Sequence, residues 1–542
     1  MASPDTPTVT ELLLARAADE HPGLRFEDAT WSWSAHIRRS AAYAAAFTAL
    51  RRPGVPFHIG ILADNVPEFS FSLGGAALGG AVLVGLNPTR RGPGLARDVR
   101  LADCQLILTE PRHADLLAGL DLGVGPDRVI DLHSPVWQEI VAAHADAPLA
   151  PVPAVPDDLL MLIFTSGTSG DPKAVRCTHG KIAFPGRMLA DRFGLSTSDT
   201  VYLSMPMFHS NAIMAGWSVG LAAGATLALR RRFSASGFLT DVRAFGATYA
   251  NYVGRPLSYV LATPEAADDN DNPLRIVYGN EGAEADLTRF AERFDCRVVD
   301  GFGSTEGGIA IARSPDTPSG ALGKLADGTV ILDQDTGKPC PPAEFDLDGR
   351  LTNADQAIGE LVNTAGAGWF AGYYGDPDAD ASRLRDGRYH SGDLAYLDQQ
   401  GYCHFVGRTG DWLRVDGENL GTAPIERIIA RHPDIAEVAV YGVPDPTVGD
   451  QVMAAIVPRP GTVLDPAAFA TFLAAQPDLG PKQLPRYVRV TTTLPRTATY
   501  KVVKRTLAAQ GIDCGDPVWH RPGPDPMFRS PQGEPGRSYR GG

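Results

Sequence analysis

Short apolar runs of strand length alternate along most of this chain with Ala- and Leu-rich stretches of helix length. That alternation confines it to α/β layers, with helices packed on sheets. Pro56–Leu62, Leu159–Phe164, Val201–Ser204 and Glu437–Val443 are such runs. With 542 residues the chain outgrows a single hydrophobic core, which stops growing at roughly 250–300 residues, so two or more domains are expected. After about residue 408 the texture becomes compact and self-contained. There Thr422 is placed to cap a helix with Pro424 just inside its start and Ile425, Ile428 and Ile429 along one face. EVAVYGV follows as a strand, Asp465 and Pro466 open a second helix carrying Phe469, Phe472 and Leu473, and Tyr487–Val490 reads as a further strand. The expected division is an N-terminal domain over 1–409, a small α+β domain over 410–521 and a disordered tail over 522–542. The tail is too rich in Pro, Gly, Ser and Arg to build a core.

Charge and cysteine usage narrow the function. The formal net charge is −14 and no basic run forms an arm, which argues against nucleic acid as a partner. Cys104, Cys177, Cys296, Cys340, Cys403 and Cys514 lie far apart with no C-x-x-C pair, so neither a zinc cluster nor a disulfide framework is indicated. The N-terminus has early acidic residues and only three consecutive leucines, unlike a signal peptide, and a cytoplasmic protein is expected. Phe71–Leu86 is apolar but short of the ~20 residues a membrane span needs, and its glycines favour a buried helix followed by a strand. A lipid substrate would still leave peripheral membrane contact open.

The segment Leu162–Lys173, LIFTSGTSGDPK, runs from a buried-type strand into Thr165, Ser166, Gly167, Thr168, Ser169 and Gly170 and ends on Lys173. Glycines let backbone amides turn toward one point, hydroxyls add donors, and the lysine offers counter-charge to a polyphosphate. It is no Walker A loop, because Ala174 follows the lysine where a Ser or Thr is required. Taken alone, it reads equally as a phosphate cradle or a flexible turn.

Downstream, in order, stand PMFHSN (Pro206–Asn211), DGFGSTEGG (Asp300–Gly308), YHSGDLAYLDQQGYCHFVGRTGD (Tyr389–Asp411), RVDGENLGTAPIE (Arg414–Glu426) and LPRTATYK (Leu494–Lys501). Together with the loop these closely resemble the motifs of the AMP-forming acyl-CoA synthetase, peptide synthetase adenylation domain and luciferase superfamily, over about residues 30 to 510. The resemblance implies the adenylate-forming fold, a large N-terminal domain of layered sheets and helices with a small mobile α+β C-terminal domain. It implies ATP, Mg2+ and coenzyme A as partners. In DGFGSTE, Asp300, Gly301 and Phe302 would hold adenine, Thr305 would donate to the α-phosphate, and Glu306 would bind Mg2+, a hard cation that prefers carboxylate oxygen. Asp393 would accept the ribose hydroxyls, with Arg408 near ribose and phosphate. Lys501 would bridge the attacking carboxylate and the α-phosphate. His209 would line the acyl pocket, or be a buried, hydrogen-bonded histidine without catalytic duty. Gly417 would lie against pantetheine. Two positions depart from the family: Tyr500 where many members have glycine, and Gly410 at the hinge where Asp or Lys is usual, with Asp411 beside it.

GLNPTRRG (Gly85–Gly92), TYANYVGRPLSYVL (Thr248–Leu261), YGNEGAEADLTRFAERF (Tyr278–Phe294) and RTGD at the hinge are similar to the fatty-acid transport protein and very-long-chain acyl-CoA synthetase subgroup. That implies a fatty or polycyclic lipid acid; a monomer or homodimer is expected. No Asp stands in Gly279–Gly282 where amino-acid-activating relatives hold the substrate amine, although Glu281 is close by. Transfer to a carrier protein instead of coenzyme A, and a non-catalytic lipid-binding homologue, are the competing readings.

Overall fold

The computed structural model describes residues 6–165, 172–408, 412–415, 418–445, 449–497, 502–523 and 527–529. These divide into two compact units, one running to Arg313 and taking back Gly366–Gly387, the other made of Ser314–Ala365 and the chain from Arg388 onward.

The first unit is built on two sheets. One runs Val129–Asp131, Cys104–Thr109, His58–Leu62, Val82–Gly85, Leu159–Thr165, Lys173–Thr178, parallel throughout except for its last pair. The other orders Ala310–Ala312, Arg297–Gly303, Ile276–Asn280, Tyr249–Val253, Thr200–Leu203, Thr226–Leu229, Pro22–Phe26 and Ala29–Ser32, parallel in its middle and antiparallel at both edges. Parallel strands covered by helices are buried on both faces, and His58–Leu62 and Val82–Gly85 are buried at every position. The apolar stretch around Phe71 is helix Pro67–Gly79, closed by Gly80 in the left-handed region at φ 65° and followed by strand Val82–Gly85. Its glycines let it lie against helix Trp33–Ala49: a Cβ on Gly74 would fall 2.4 Å from Ser40 Oγ, and one on Gly75 2.8 Å from Tyr43 Cβ. Among the described residues no helix is long and apolar enough to cross a membrane.

Beneath this layer Asp64, Glu110 and His113 bring three potential metal ligands together. Arginines answer those charges: Arg112 and Arg232 pair with Asp64, and Arg231 pairs with Glu110. The cluster therefore neutralises itself and serves packing.

The second unit also has two sheets. The first is antiparallel, in the order Gly323–Lys324, Tyr402–Arg408, Arg388–Leu397, Gly359–Asn363, Thr329–Leu332. The second runs Glu418–Gly421, Trp412–Val415, Gly449–Pro458, Tyr487–Val490, Val518–His520, with Ile435–Asp445 also paired to Gly449–Pro458. Ile425, Ile428 and Ile429 of helix Thr422–Ile429 are buried with Phe469 and Leu473 of helix Pro466–Ala474 against this sheet. Asp465 caps its helix as expected, accepting from Ala468 N at 2.8 Å. Thr422 does not cap: Gly421 holds that position, and the Thr422 hydroxyl accepts instead from Lys504 Nζ at 2.7 Å. Lys504 also pairs with Glu426 at 2.8 Å. Within the stretch expected to be a tail, Phe528 is buried beside Trp519, and Arg529 exchanges two backbone bonds with His520. An aromatic ring that finds a core outweighs the Pro- and Gly-rich composition around it.

Candidate active site

Strands Leu159–Thr165 and Lys173–Thr178 pair so that Thr165 and Lys173 face each other across the ladder, at the two ends of the glycine-rich loop. Ser166, Gly167, Thr168, Ser169 and Gly170 lie outside the described residues, as do Gly410, Asp411, Gly417, Tyr500 and Lys501. The Thr165 hydroxyl is buried with no hydrogen-bond partner among the described residues. An orphaned buried donor at the root of such a loop fits an acceptor supplied by a ligand. Lys173 Nζ stands 5.2 Å from the centre of the Tyr373 ring.

Tyr373 links that lysine to the turn after strand Arg297–Gly303. Its hydroxyl donates to Glu306 Oε1 at 2.9 Å. Burial alone would push the Glu306 carboxyl up, but its own backbone N–H, the Arg383 charge, Tyr373 and Lys181 outweigh burial and leave it below the ordinary value. An ionised, enclosed carboxylate with neighbouring donors suits a hard divalent cation. One residue earlier, Thr305 Oγ1 and Ser210 Oγ share a hydrogen bond of 2.8 Å.

Asp300 lies on the same strand. Its Oδ2 accepts from Tyr252 OH at 2.5 Å and from Gly282 N at 2.9 Å. Burial dominates here and lifts the carboxyl to about 6, against the lowering by those two donors. Gly301 and Phe302 follow, half-buried, with Phe302 opposite Ile311 at the sheet edge. Across the sheet, Asn251 Nδ2 donates to Asn211 Oδ1 (2.7 Å), Asn211 Nδ2 to Asn280 Oδ1 (3.3 Å), and Asn280 Nδ2 to Gly303 O (3.5 Å). This chain of amides ties PMFHSN to DGFGSTE. Gly279 is required beside it, because a Cβ there would lie 2.1 Å from Tyr252 O. His209 heads the short helix Ser210–Ala212, is half-buried, and packs its ring 5.2 Å from that of Phe208. The helix continues as a π-helical turn, Ile213–Trp217, a feature common at functional sites.

In the second unit Asp393 and Arg408 are register partners on neighbouring strands, and Arg408 Nε lies 3.2 Å from Asp393 Oδ1. Asp393 is buried, whereas the arginine is 39% exposed. The two residues expected near ribose thus stand side by side on neighbouring strands of one sheet.

Sequence reasoning missed Ser210, Asn211, Tyr252, Asn280, Tyr373 and Lys181. The first four stand inside the motifs above: Ser210 and Tyr252 partner Thr305 and Asp300, while Asn211 and Asn280 belong to the amide chain that reaches Gly303 O. Tyr373 and Lys181 carry no local signal.

A strand–turn carrying Asp300, Thr305 and Glu306, linked through Tyr373 to Lys173 at one end of the glycine-rich motif, fits the class of adenylate-forming ligases. The AMP-binding enzyme model matches residues 14–374 and the AMP-binding enzyme C-terminal domain model matches 424–501, so the chain belongs to that family. It is an AMP-forming acyl-CoA synthetase, which activates a carboxylic acid with ATP and Mg2+ as the acyl adenylate and passes the acyl group to coenzyme A. It is 57% identical over 95% of its length, and 99% of the relative, to the medium/long-chain-fatty-acid–CoA ligase FadD17 of Mycobacterium tuberculosis. It is 48% identical to the steroid-22-oyl-CoA synthetase of Rhodococcus jostii, over 94% of this chain and 92% of that one. Among solved structures, ATP-bound MatB from Rhodopseudomonas palustris shares the fold with a TM-score of 0.80 at 23% identity, covering 92% of this chain and 98% of its own.

Proposed function

We propose that the acid is a lipid acid, either a medium- or long-chain fatty acid or the carboxylated side chain of a polycyclic skeleton. The observation that carries this is the near full-length identity to a fatty-acid–CoA ligase and a steroid-22-oyl-CoA synthetase. In this reading Phe302 stacks on adenine and Asp300 and Gly301 border it, while Asp393 and Arg408 take the ribose. Thr165–Gly170 and Lys173 clamp the phosphates that leave. Thr305 would donate to the α-phosphate, and Glu306 would hold Mg2+, which would offset phosphate charge. Lys501 neutralises the charge that grows as the carboxylate attacks. His209 borders the acyl carbonyl, and pantetheine passes Gly417.

The reading includes a cut near residue 409, with a C-terminal domain that turns between the half-reactions because two sets of groups must serve one carbonyl in turn. Gly410 accepts the backbone change such a hinge needs. The protein acts in the cytoplasm as a monomer or homodimer.

The test is a mass-spectrometric screen of acids with ATP, Mg2+ and either coenzyme A or a holo carrier protein. Fatty and steroid side-chain acids are expected to give coenzyme A thioesters. Preferred turnover of amino acids or short dicarboxylates would overturn the substrate class, and exclusive loading of the carrier protein would overturn coenzyme A as acceptor.

A further inference from the structure

Lys181 is the third residue of helix His179–Phe193, which follows the strand leaving the phosphate loop, and it is only 3% exposed. Taking an ammonium out of water costs several kcal/mol even after relaxation. No carboxylate lies within ion-pair distance of it among the described residues. Burial accordingly pulls its pKa below the ordinary lysine value, with Cys177 and Glu306 acting the other way.

Its hydrogen bonds go to two main-chain carbonyls: Arg176 O at 3.2 Å, on the strand from the loop, and Glu306 O at 2.9 Å. The stem supports the same turn. Gly307 has φ 73°, and a Cβ there would lie 3.3 Å from Lys181 Cε and 3.0 Å from Trp369 Cβ. Trp369 N in turn donates to Gly307 O at 3.0 Å. Methionine or leucine would fill this space without the desolvation cost, so packing does not explain a lysine here. What only the Nζ supplies is a tether between Arg176 and Glu306.

We propose that Lys181 is a positioning residue for the adenylation step: it ties the Ser304–Gly307 turn to strand Lys173–Thr178, so that Glu306 is presented to Mg2+ from a fixed place beside that strand. The inference rests on the reading of Glu306 as the metal carboxylate. Groups that orient a metal ligand from behind are typically worth about 10- to 100-fold in metal affinity or activity.

The experiment is a Mg2+ titration of acid-dependent ATP/pyrophosphate exchange at fixed saturating ATP, on the full chain, for the native protein, Lys181→Met, Lys181→Gln and Glu306→Gln. Lys181→Met is expected to raise the half-activating Mg2+ concentration by about 10-fold or more, with the thermal midpoint in the absence of metal and nucleotide close to native. Lys181→Gln keeps an N–H donor, is expected to fall between the two, and serves as the readout if the methionine variant does not fold. A Mg2+ requirement unchanged in the Lys181 variants, whatever their maximal rate, overturns the inference. If Glu306→Gln shifts the requirement and they do not, the inference alone fails. If Glu306→Gln itself leaves it unmoved, the metal reading of Glu306 fails and takes the inference with it.

Discussion

Asp300 sits where burial and hydrogen bonding pull in opposite directions, and the balance brings its titration to about 6. The ionised form is the one that accepts well from an adenine amino group, since charge-assisted bonds are roughly twice as strong as neutral ones. Below its pKa the carboxyl holds a proton and that acceptor weakens; above it the acceptor is at full strength. ATP affinity, measured by equilibrium binding between pH 5 and 8, is therefore expected to fall as pH drops through about 6, and Asp300→Asn to be weak and flat across the range. A native profile that stays flat would exclude Asp300 from adenine recognition. Asp300, Thr305 and Glu306 stand out in the sequence as candidates because they crowd into one short motif. Tyr252 and Tyr373, whose hydroxyls hold two of them, do not. They stand 48 residues before Asp300 and 67 after Glu306; strand order brings in Tyr252, and an isolated bridge to Val175 brings in Tyr373.

At the level of elements, the helix pair Trp33–Ala49 and Pro67–Gly79 depends on close approach, and the glycines in its seam leave no room for a side chain. Gly75→Leu is expected to force the helices apart and cost at least the ~1–3 kcal/mol typical of overpacking, read as a lower midpoint in urea unfolding. A midpoint within error of native would show the seam to be loosely packed. The helix-then-strand reading of this region and the strands Leu159–Thr165 and Tyr487–Val490 followed from periodicity and turn residues. What eluded it was the use of particular polar groups. Thr422 looked like a cap from its neighbours in sequence, but its hydroxyl is spent on Lys504, which arrives from a helix 82 residues away. Local pattern specifies an element's existence better than it specifies where each hydroxyl finds its partner.

For the molecule as a whole, the reading of two half-reactions served by different groups makes Lys501 separable. Lys501→Ala is expected to lower ATP/pyrophosphate exchange by about 10²- to 10³-fold while still converting supplied acyl adenylate to the coenzyme A thioester. Equal loss of both half-reactions in a folded variant would remove the lysine from its assigned step. The α/β class and the order of the motifs were plain from the chain itself. The unit that joins Ser314–Ala365 to the chain after Arg388 was not, because it depends on strands that leave one unit and return later in sequence. Phe528 has a practical corollary for anyone shortening this protein. A chain cut at Pro522, where composition suggests the fold is over, would lose the ring that covers Trp519 and the residue that zips onto His520. A stop codon or cleavage site placed after Arg529 spares both.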